Sequence, residues 1–438
     1  MATINLNAFP YSDEVACPKC KNIVTLYDPE GSEYIVCTSC HSFIRFIAND
    51  TLVIQKYAPP VNQQPVIRLG SVGFFRGYDF KVIGYIEKKE KAAGYAWREY
   101  ILYNYEKGYA NFAEYDGHWT FVAGKEFYPS LEKLSDRSWN FIEYEENEYN
   151  LFNKYTAMTT ALIGEFDWDI LFEQAKTSEF VAPPNIVYKE QDKPGTSTAD
   201  FYLGKYAEPA EIAEAFKIDI NLFPQKVGIG ANQPSVHAKR WLAVGKIVPV
   251  LVILVALVGF AASVIKPELQ VMDNDYFIVS DSTKVNEFKP FITPSFELKD
   301  NSSALDFLIK SDIDNNWLET TVVLVNEKNN QSWEVTESIE YYHGYEAGES
   351  WTEGSQEANV LLSDIPNGKY HLNIYPASGD TTNKNIHINI LANPVIWRNV
   401  WVTILLLCLY PLYAWYRMRN YEKQRWMNSD YSPYEAEE

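Results

Sequence analysis

The stretch IVPVLVILVALVGFAASVI, at residues 247–265, decides how the chain is organised. It carries no charge and is close to the length that an α-helix needs to cross the hydrocarbon core of a membrane. Trp241 precedes it, where an interfacial aromatic belongs, and Pro249 falls in its first turn, where proline is tolerated. A buried helix of a soluble domain is the alternative, but such uncharged runs are rare there. We predict a membrane span over residues 247–265.

A second apolar stretch, WRNVWVTILLLCLYPLYAWY, covers residues 397–416. Trp397 lies at one end and Trp415 at the other, as expected of aromatic belts at both interfaces. Pro411 predicts a kink, which membrane helices tolerate when the freed carbonyl finds another donor. We predict that this stretch is the second span.

Basic residues cluster at the ends of the two spans that face away from the intervening segment. They precede the first span and follow the second, at Lys239, Arg240, Lys246, Arg417, Arg419, Lys423 and Arg425. Within the intervening segment, only Lys266 and Arg398 lie close to the spans. The positive-inside rule therefore places the linker 221–246 and the tail 417–438 in the cytoplasm. We predict a two-pass protein of the inner (cytoplasmic) membrane with both termini cytoplasmic and without a signal peptide.

Four of the five cysteines form two pairs near the N-terminus, Cys17-Pro-Lys-Cys20 and Cys37-Thr-Ser-Cys40. The spacing C-x2-C-x16-C-x2-C is typical of a structural zinc site. Four thiolates complete a tetrahedral shell and leave no open position, which excludes a catalytic metal. We therefore predict a zinc ribbon over residues 1–56, with Zn²⁺ as its structural cofactor. A redox pair of dithiols and uncoordinated cysteines are the alternatives.

The segment between the cysteine pairs, residues 22–36, alternates apolar and polar residues around the turn Asp28-Pro29-Glu30-Gly31. This pattern predicts a β-hairpin. His41 follows the last cysteine directly, and we interpret it as a bystander rather than a ligand.

Residues 65–220 follow the proline-rich linker YAPPVNQQP and are rich in aromatic residues. Short alternating strands with glycine turns at 69–86 and 96–122 predict a small β-barrel or sandwich. The piece AEPAEIAEAF predicts a short helix with Pro209 in its first turn. The glycines of GSVGFFRG are interpreted as turns with positive φ, because no Lys-Ser/Thr follows as in a P-loop.

Trp97 and Glu99 belong to a pattern of spaced glycine and aromatic residues in this region. They either line a pocket or only alternate across a strand, and both interpretations stay open. The pattern comprises Gly70, Gly73, Gly77, Phe80, Val82, Gly84, Trp97, Glu99, Tyr100, Leu102, Gly117 and Trp119. Together with a GEF-x-W segment, it resembles the bacterial family known as domain of unknown function 4178. The resemblance implies a ribbon-bearing, membrane-anchored member, no established reaction, and an association with polyamine-linked or envelope-stress pathways.

Residues 268–394 contain several short alternating segments separated by Asn, Asp and Gly turns. This spacing predicts an antiparallel β-sandwich on the outer side of the membrane. The segment has no Arg and many more acidic residues than lysines, so it contributes most of the negative charge.

Carboxylates and aromatic rings are densest at residues 337–357. They could hold a cationic ligand or a calcium ion, whereas paired carboxylates could also act on a glycan. An ordinary solvated hairpin explains the same residues. The candidate cation-binding residues are Glu340, Tyr342, Glu346, Glu349, Trp351 and Glu353.

The chain has a formal net charge of −20, which argues against sequence-independent nucleic-acid binding. We find no nucleophile elbow, zinc-protease motif, P-loop or dinucleotide fingerprint. The leading hypothesis is a non-enzymatic envelope scaffold or receptor, in contact with lipid and with protein partners or copies of itself. The alternatives are an extracytoplasmic carboxylate-dependent hydrolase and an accessory subunit of a transport complex.

Overall fold

The computed structural model describes residues 9, 12–47, 51–134, 140–171, 176–191, 199–346, 348–382 and 384–434. Within them the chain is mainly β-structure with two long apolar helices, as the sequence predicts. It divides into two compact units, Met1–Ala243 with Tyr413–Glu438, and Val244–Leu412. Both unit boundaries fall inside the long helices, so each helix contributes residues to each unit.

The first unit contains fifteen strands in its described residues. They are β1 (Asp13–Ala16), β2 (Ile23–Leu26), β3 (Tyr34–Val36), β4 (Ser42–Ile47), β5 (Thr51–Tyr57), β6 (Val72–Phe75), β7 (Tyr78–Glu90), β8 (Ala96–Asn104), β9 (Gly108–Tyr115), β10 (His118–Ala123), β11 (Phe141–Tyr144), β12 (Asn147–Phe166), β13 (Lys176–Ala182), β14 (Asn185–Gln191) and β15 (Asp200–Ala207). Short 3-10 turns occupy Pro129–Lys133 and Ile220–Leu222.

Eight of these strands pair in an antiparallel ring. The order is β12-β13-β14-β15-β10-β9-β8-β7, and β7 pairs with β12 again. Strand β12 closes the ring because it is 20 residues long and pairs with two strands in turn. Its residues 150–156 pair with β13, and residues 157–164 pair with β7. A closed ring of pairings is the connectivity of a β-barrel, one of the two arrangements predicted for this region.

Helix α1 (Pro209–Phe216) packs on β6 beside the ring. The predicted helix is confirmed, with Pro209 in the first turn and the side chains of Ile212 and Phe216 buried. A Cβ atom at Gly73 on β6 would lie 2.8 Å from the ring of Phe216, so only glycine permits this approach.

The predicted hairpin at residues 22–36 is wrong. Strand β2 pairs with β1, and β3 pairs with β4 and with β12 of the ring. Each cysteine pair therefore lies in the turn of its own hairpin, and the segment that we predicted as a turn connects the two hairpins. Pairing with β12, far along the chain, competes successfully with the local pattern.

The two apolar helices are longer than the predicted spans. Helix α2 is Val236–Ile265 and helix α3 is Trp397–Trp426. Both are long and apolar enough to cross a membrane, and most of their apolar side chains are exposed. Gly259 of α2 faces Val400 of α3, where a Cβ atom would lie 3.2 Å from the valine side chain.

The second unit is a sandwich-like arrangement of eight strands in its described residues. They are β16 (Leu269–Ile278), β17 (Phe291–Ile292), β18 (Phe296–Ser311), β19 (Asn316–Asn326), β20 (Ser332–Glu346), β21 (Glu349–Ser355), β22 (Glu357–Ser378) and β23 (Lys384–Ala392). The order is β16-β23-β18-β22-β19-β20-β21, with β17 on β22. Buried residues alternate with exposed ones along β18 and β19, because one face packs on the core.

Candidate functional sites

The two cysteine turns have the same backbone geometry. The amide of Lys21 donates to the carbonyl of Cys17, and the amide of His41 donates to the carbonyl of Cys37, both at 2.9 Å. Lys21 and His41 both have positive φ, 63° and 56°. The chain therefore reverses in the same way after each pair.

The four cysteine sulfurs lie together. All are within 4.8 Å of one another, with 3.7 Å between Cys17 and Cys40 and 3.6 Å between Cys20 and Cys37. A tetrahedral metal with bonds of about 2.3 Å to sulfur sets its ligands about 3.8 Å apart. Disulfide sulfurs are only about 2.0 Å apart, and the cysteines are free thiols. The four predicted ligands could therefore bind a metal ion, and His41 does not belong to the group.

The environments of the four thiols differ. Cys17 and Cys37 are buried, whereas Cys20 is exposed. Burial raises the pKa of the Cys37 thiol to about 12. The Ser42 hydroxyl, 3.2 Å from Cys40 Sγ, lowers the pKa of Cys40 to about 6. Because thiols bind metals as thiolates, a bound cation would offset the burial of the negative charge on Cys37.

Glu165 on β12 holds the segment between the two cysteine hairpins. Its carboxylate is 1% exposed and accepts hydrogen bonds from the amides of Tyr27 (2.7 Å) and Asp28 (3.1 Å). It also accepts one from the Ser32 hydroxyl at 2.9 Å. Burial raises the pKa of Glu165, while these donors lower it. Glu165 lies in the GEF-x-W segment, so a residue of the recognised pattern positions the cysteine hairpins.

Trp97 and Glu99 lie two residues apart on β8, on one face of the strand. Trp97 Nε1 donates to Glu99 Oε1 at 2.8 Å, and Lys88 Nζ lies 3.0 Å from Glu99 Oε2. The side chains of Lys88 and Glu99 are each 13% exposed. Glu99 therefore has a cationic partner in a largely buried environment.

A second carboxylate, Glu179 on β13, lies close to this group. The Tyr155 hydroxyl donates to Glu179 Oε1 at 2.9 Å, and the Tyr155 and Trp97 rings are 5.3 Å apart. Strands β8 and β12, which carry these rings, flank β7 and would lie about 9.6 Å apart in a flat sheet. The two rings therefore meet across β7, as side chains do on the inner side of a closed, curved sheet. Tyr188 on β14 stands directly opposite Glu179.

These residues form one group on the concave side of the ring, which we call the inner cluster. Its members are Lys88, Trp97, Glu99, Tyr155, Glu179 and Tyr188. Burial raises the pKa of Glu179 to about 7, and it raises the pKa of Tyr155 and Tyr188. The Tyr155 hydroxyl lowers the pKa of Glu179, whereas the negative charge of Glu90 raises it further. Glu179 is not among the residues predicted from the sequence, because nothing local distinguishes it from an outward-facing glutamate of an alternating strand.

Arg425, predicted as a flanking cation, is fully buried. Its guanidinium donates to the carbonyls of Gly230 (2.9 Å), Ala231 (2.8 Å) and Gln233 (2.6 Å), and its Nε lies 2.9 Å from Glu422 Oε2. The three carbonyls lie just before α2, whereas Arg425 lies at the end of α3. One side chain therefore joins the ends of both apolar helices, and Arg425 does not act as a solvated flanking charge.

Trp426, the last residue of α3, packs on the ring. Its ring centroid lies 5.1 Å from that of Phe152, with the two ring planes tilted by 53°, and it clusters with Val181 and Ile186. Tyr188 of the inner cluster packs against this same cluster. The end of α3 is therefore connected to the inner cluster through direct side-chain packing.

The acidic hairpin forms an exposed ribbon of β20 and β21. Glu346 stands opposite Glu349, and Trp351 covers Gly344. Apart from the four cysteines, no three metal-ligating side chains in the described ranges lie within ligand distance, so these carboxylates do not converge as a calcium site would require. Binding of an organic cation by this face stays a prediction. The pairing places all six predicted residues on one face, Glu340, Tyr342, Glu346, Glu349, Trp351 and Glu353.

The recognised pattern mainly supplies the hydrophobic core on which α1 packs. Phe80, Val82 and Trp119 are fully buried, and Gly70 and Gly77 have positive φ of 81° and 92°. The family model described as "Domain of unknown function (DUF4178)" matches residues 68–209. Residues 68–209 are a DUF4178 domain. The match spans β6–β15 and ends at the first residue of α1, so it contains the whole inner cluster.

Curated proteins and solved structures give no further indication of family. No curated protein matches the chain. Similar solved structures include infectious bursal disease virus Gx strain, at 9% identity and a TM-score of 0.18, covering 80% of this chain and 62% of that chain. The Gt strain of that virus gives 11% identity and a TM-score of 0.18, covering 82% and 64%. This chain thus spans about three-fifths of the viral chains, and TM-scores this low identify no shared fold.

Proposed function

We propose that the protein is a two-pass protein of the bacterial inner membrane with both termini in the cytoplasm. Apolar side chains of α2 such as Ile253, Leu257 and Phe260 are each more than half exposed. An exposed apolar surface of this size is unfavourable in water and favourable in lipid. The basic residues that remain at the ends of the predicted spans, with Lys246 and Arg417 among them, support this orientation.

The cysteine group in this proposal is a structural Zn²⁺ site. The sulfur distances fit a tetrahedral ion, and four thiolates leave no position for a substrate. The hairpins that carry the cysteines are short, and Glu165 supports the segment between them. Zinc would therefore complete a rigid extension of the DUF4178 domain rather than perform chemistry.

The function that we propose is that of a non-enzymatic receptor or scaffold, which couples an outer β-domain to the cytoplasmic DUF4178 domain. The buried Arg425 carries this proposal. A guanidinium bonded to three carbonyls and a carboxylate permits little relative movement of the groups that it joins. Movement of α3 would therefore reach the segment before α2 and, through Trp426, the ring. Protein partners or a second copy of the chain would be the source or the target of such movement.

Site-directed labelling of intact cells tests the orientation. Lys328, in the turn after β19, and Lys125, after β10, are both exposed. In a Cys408→Ser background, Lys328→Cys should react with a membrane-impermeant maleimide from outside, whereas Lys125→Cys should react only after lysis.

The four N-terminal cysteines are kept in this background, since metal-bound thiolates react slowly with maleimide. Labelling of each variant is compared with labelling of the Cys408→Ser parent, which gives the contribution of these cysteines. Labelling of Lys125→Cys from outside would overturn the orientation. Labelling of both positions only after lysis would overturn the transmembrane arrangement itself.

A further inference from the structure

We propose that the inner cluster binds a small organic ammonium ion. This proposal deepens the receptor function above and rests on it only for the step from binding to movement of the helices. The ligand would lie on the concave side of the ring, with its charge at Glu179 and its carbon atoms against the aromatic rings.

The charges of the cluster favour a cation. Glu99 has Lys88 as its partner at 3.0 Å. Glu179 accepts a hydrogen bond from the neutral Tyr155, and in the described part of the chain no Lys, Arg or His forms a salt bridge with it. The other charge that acts on Glu179 is that of Glu90, which is negative. One carboxylate in an enclosed environment therefore lacks a compensating cation, which is a costly arrangement.

The aromatic side chains favour an organic cation over a metal ion. Trp97 and Tyr155 meet edge to face at 5.3 Å, and Tyr188 lies opposite Glu179. Aromatic faces attract ammonium groups and apolar carbon, but they cannot replace the several oxygen ligands that calcium or magnesium needs. In the described residues, no third carboxylate completes a metal site here.

The position inside the ring gives such a ligand limited access. Glu179, Tyr155 and Tyr188 lie deep among protein atoms, yet each side chain keeps part of its surface accessible. We infer that this accessible surface faces the interior of the ring. Because Tyr188 also packs against the Trp426 cluster, a ligand that fixes Tyr188 would act directly on the end of α3.

Titration of the full-length protein in detergent tests the proposal. The probe is n-butylammonium, and butan-1-ol serves as the neutral molecule of similar length. Binding is followed by calorimetry and by the part of the tryptophan fluorescence change that Trp97→Phe removes. We expect saturable binding of the amine and none of the alcohol. Glu179→Gln should weaken it at least about tenfold, as expected from loss of a charged hydrogen-bond acceptor.

Two further variants make the result specific. Trp97→Phe removes the indole but keeps an aromatic ring, and it should weaken binding by a smaller factor. Glu106→Gln makes the same charge change at an exposed position and should leave binding unchanged.

The proposal is contradicted if the amine does not saturate, if the alcohol binds equally well, or if Glu106→Gln matches Glu179→Gln. The labelling experiment on the Glu179→Gln protein separates the two proposals. If the labelling pattern is unchanged while amine binding is lost, the change affects the amine site alone and leaves the proposed membrane arrangement intact.

Discussion

The two units of the chain are both antiparallel and aromatic, yet they place their carboxylates differently. In the second unit, acidic residues alternate with the core residues and face outward, and the acidic ribbon of β20 and β21 is largely exposed. In the first unit, Glu165, Glu99 and Glu179 lie inside, each with named hydrogen-bond partners. The density of acidic residues in a sequence therefore does not locate a site. In our proposal the site lies instead where strands distant in sequence enclose a carboxylate.

The largest effect that we predict for the buried groups of the first unit is on metal binding. Cys37→Ser should abolish stoichiometric zinc binding, because it removes one of the four thiolates. The effect should be large, because structural zinc contributes roughly 10 kcal/mol or more to small zinc modules. Elemental analysis of the purified full-length protein measures it. Cys408→Ser, on α3, is the matched control and should keep one zinc per chain. A Cys37→Ser protein with unchanged zinc content would show that the cysteines are not the ligands.

Replacement of the buried arginine should have the next largest effect. Arg425→Met removes the donors for three carbonyls and leaves Glu422 without its partner, so we expect a loss of about 3–5 kcal/mol in the stability of the first unit. Thermal unfolding in detergent measures the loss. Arg419→Met, an exposed change on the same helix, should have little effect. Equal melting temperatures for both variants would remove the structural basis of the proposed coupling.

The inner cluster predicts a pH-dependent stability. Burial raises the pKa of Glu179 from 4.5 to about 7, so the folded state binds this proton more tightly than the unfolded state. Stability should therefore fall as pH rises from 4.5 to 7, and the full cost is present above pH 7. Since each tenfold change in proton affinity corresponds to about 1.4 kcal/mol, the cost is roughly 3–4 kcal/mol at most.

Glu179→Gln should remove this cost. In the absence of ligand, the variant should be more stable than the parent above pH 7, and the two should converge below pH 4.5. The groups that face Glu179 are Tyr155, Tyr188 and Glu90, and the charge of Glu99 acts on both tyrosines. Melting curves across this range measure the difference. A constant difference at all pH values would show that Glu179 does not titrate in this window.

The acidic ribbon should show the smallest effect. Replacing Glu346, Glu349 and Glu353 with Gln together should change stability by less than about 0.5 kcal/mol, as is usual for exposed sites. The change should be stabilising, because like charges such as Glu346 and Glu349 stand opposite each other. A large loss of stability would reveal contacts of the ribbon that its exposure does not suggest.

The sequence predicts those features that depend on local spacing. The cysteine pairs, the two apolar helices, the helix opened by Pro209 and the hairpin interpretation of the acidic ribbon all follow from neighbouring residues. The hairpin at 22–36 failed because β3 pairs with β12, more than a hundred residues away. Glu179 and Arg425 could not be recognised for the same reason, since their environments are built by strands and carbonyls that no local pattern connects to them.

Amine binding by two charge variants tests the central contrast most directly. The full-length protein is titrated with n-butylammonium after replacement of Glu179 by Gln, and separately after replacement of Glu346, Glu349 and Glu353 by Gln. We predict at least about a tenfold loss of affinity in the first protein and unchanged affinity in the second. Loss of binding in the second protein with full affinity in the first would place the cation site on the exposed ribbon and contradict the account.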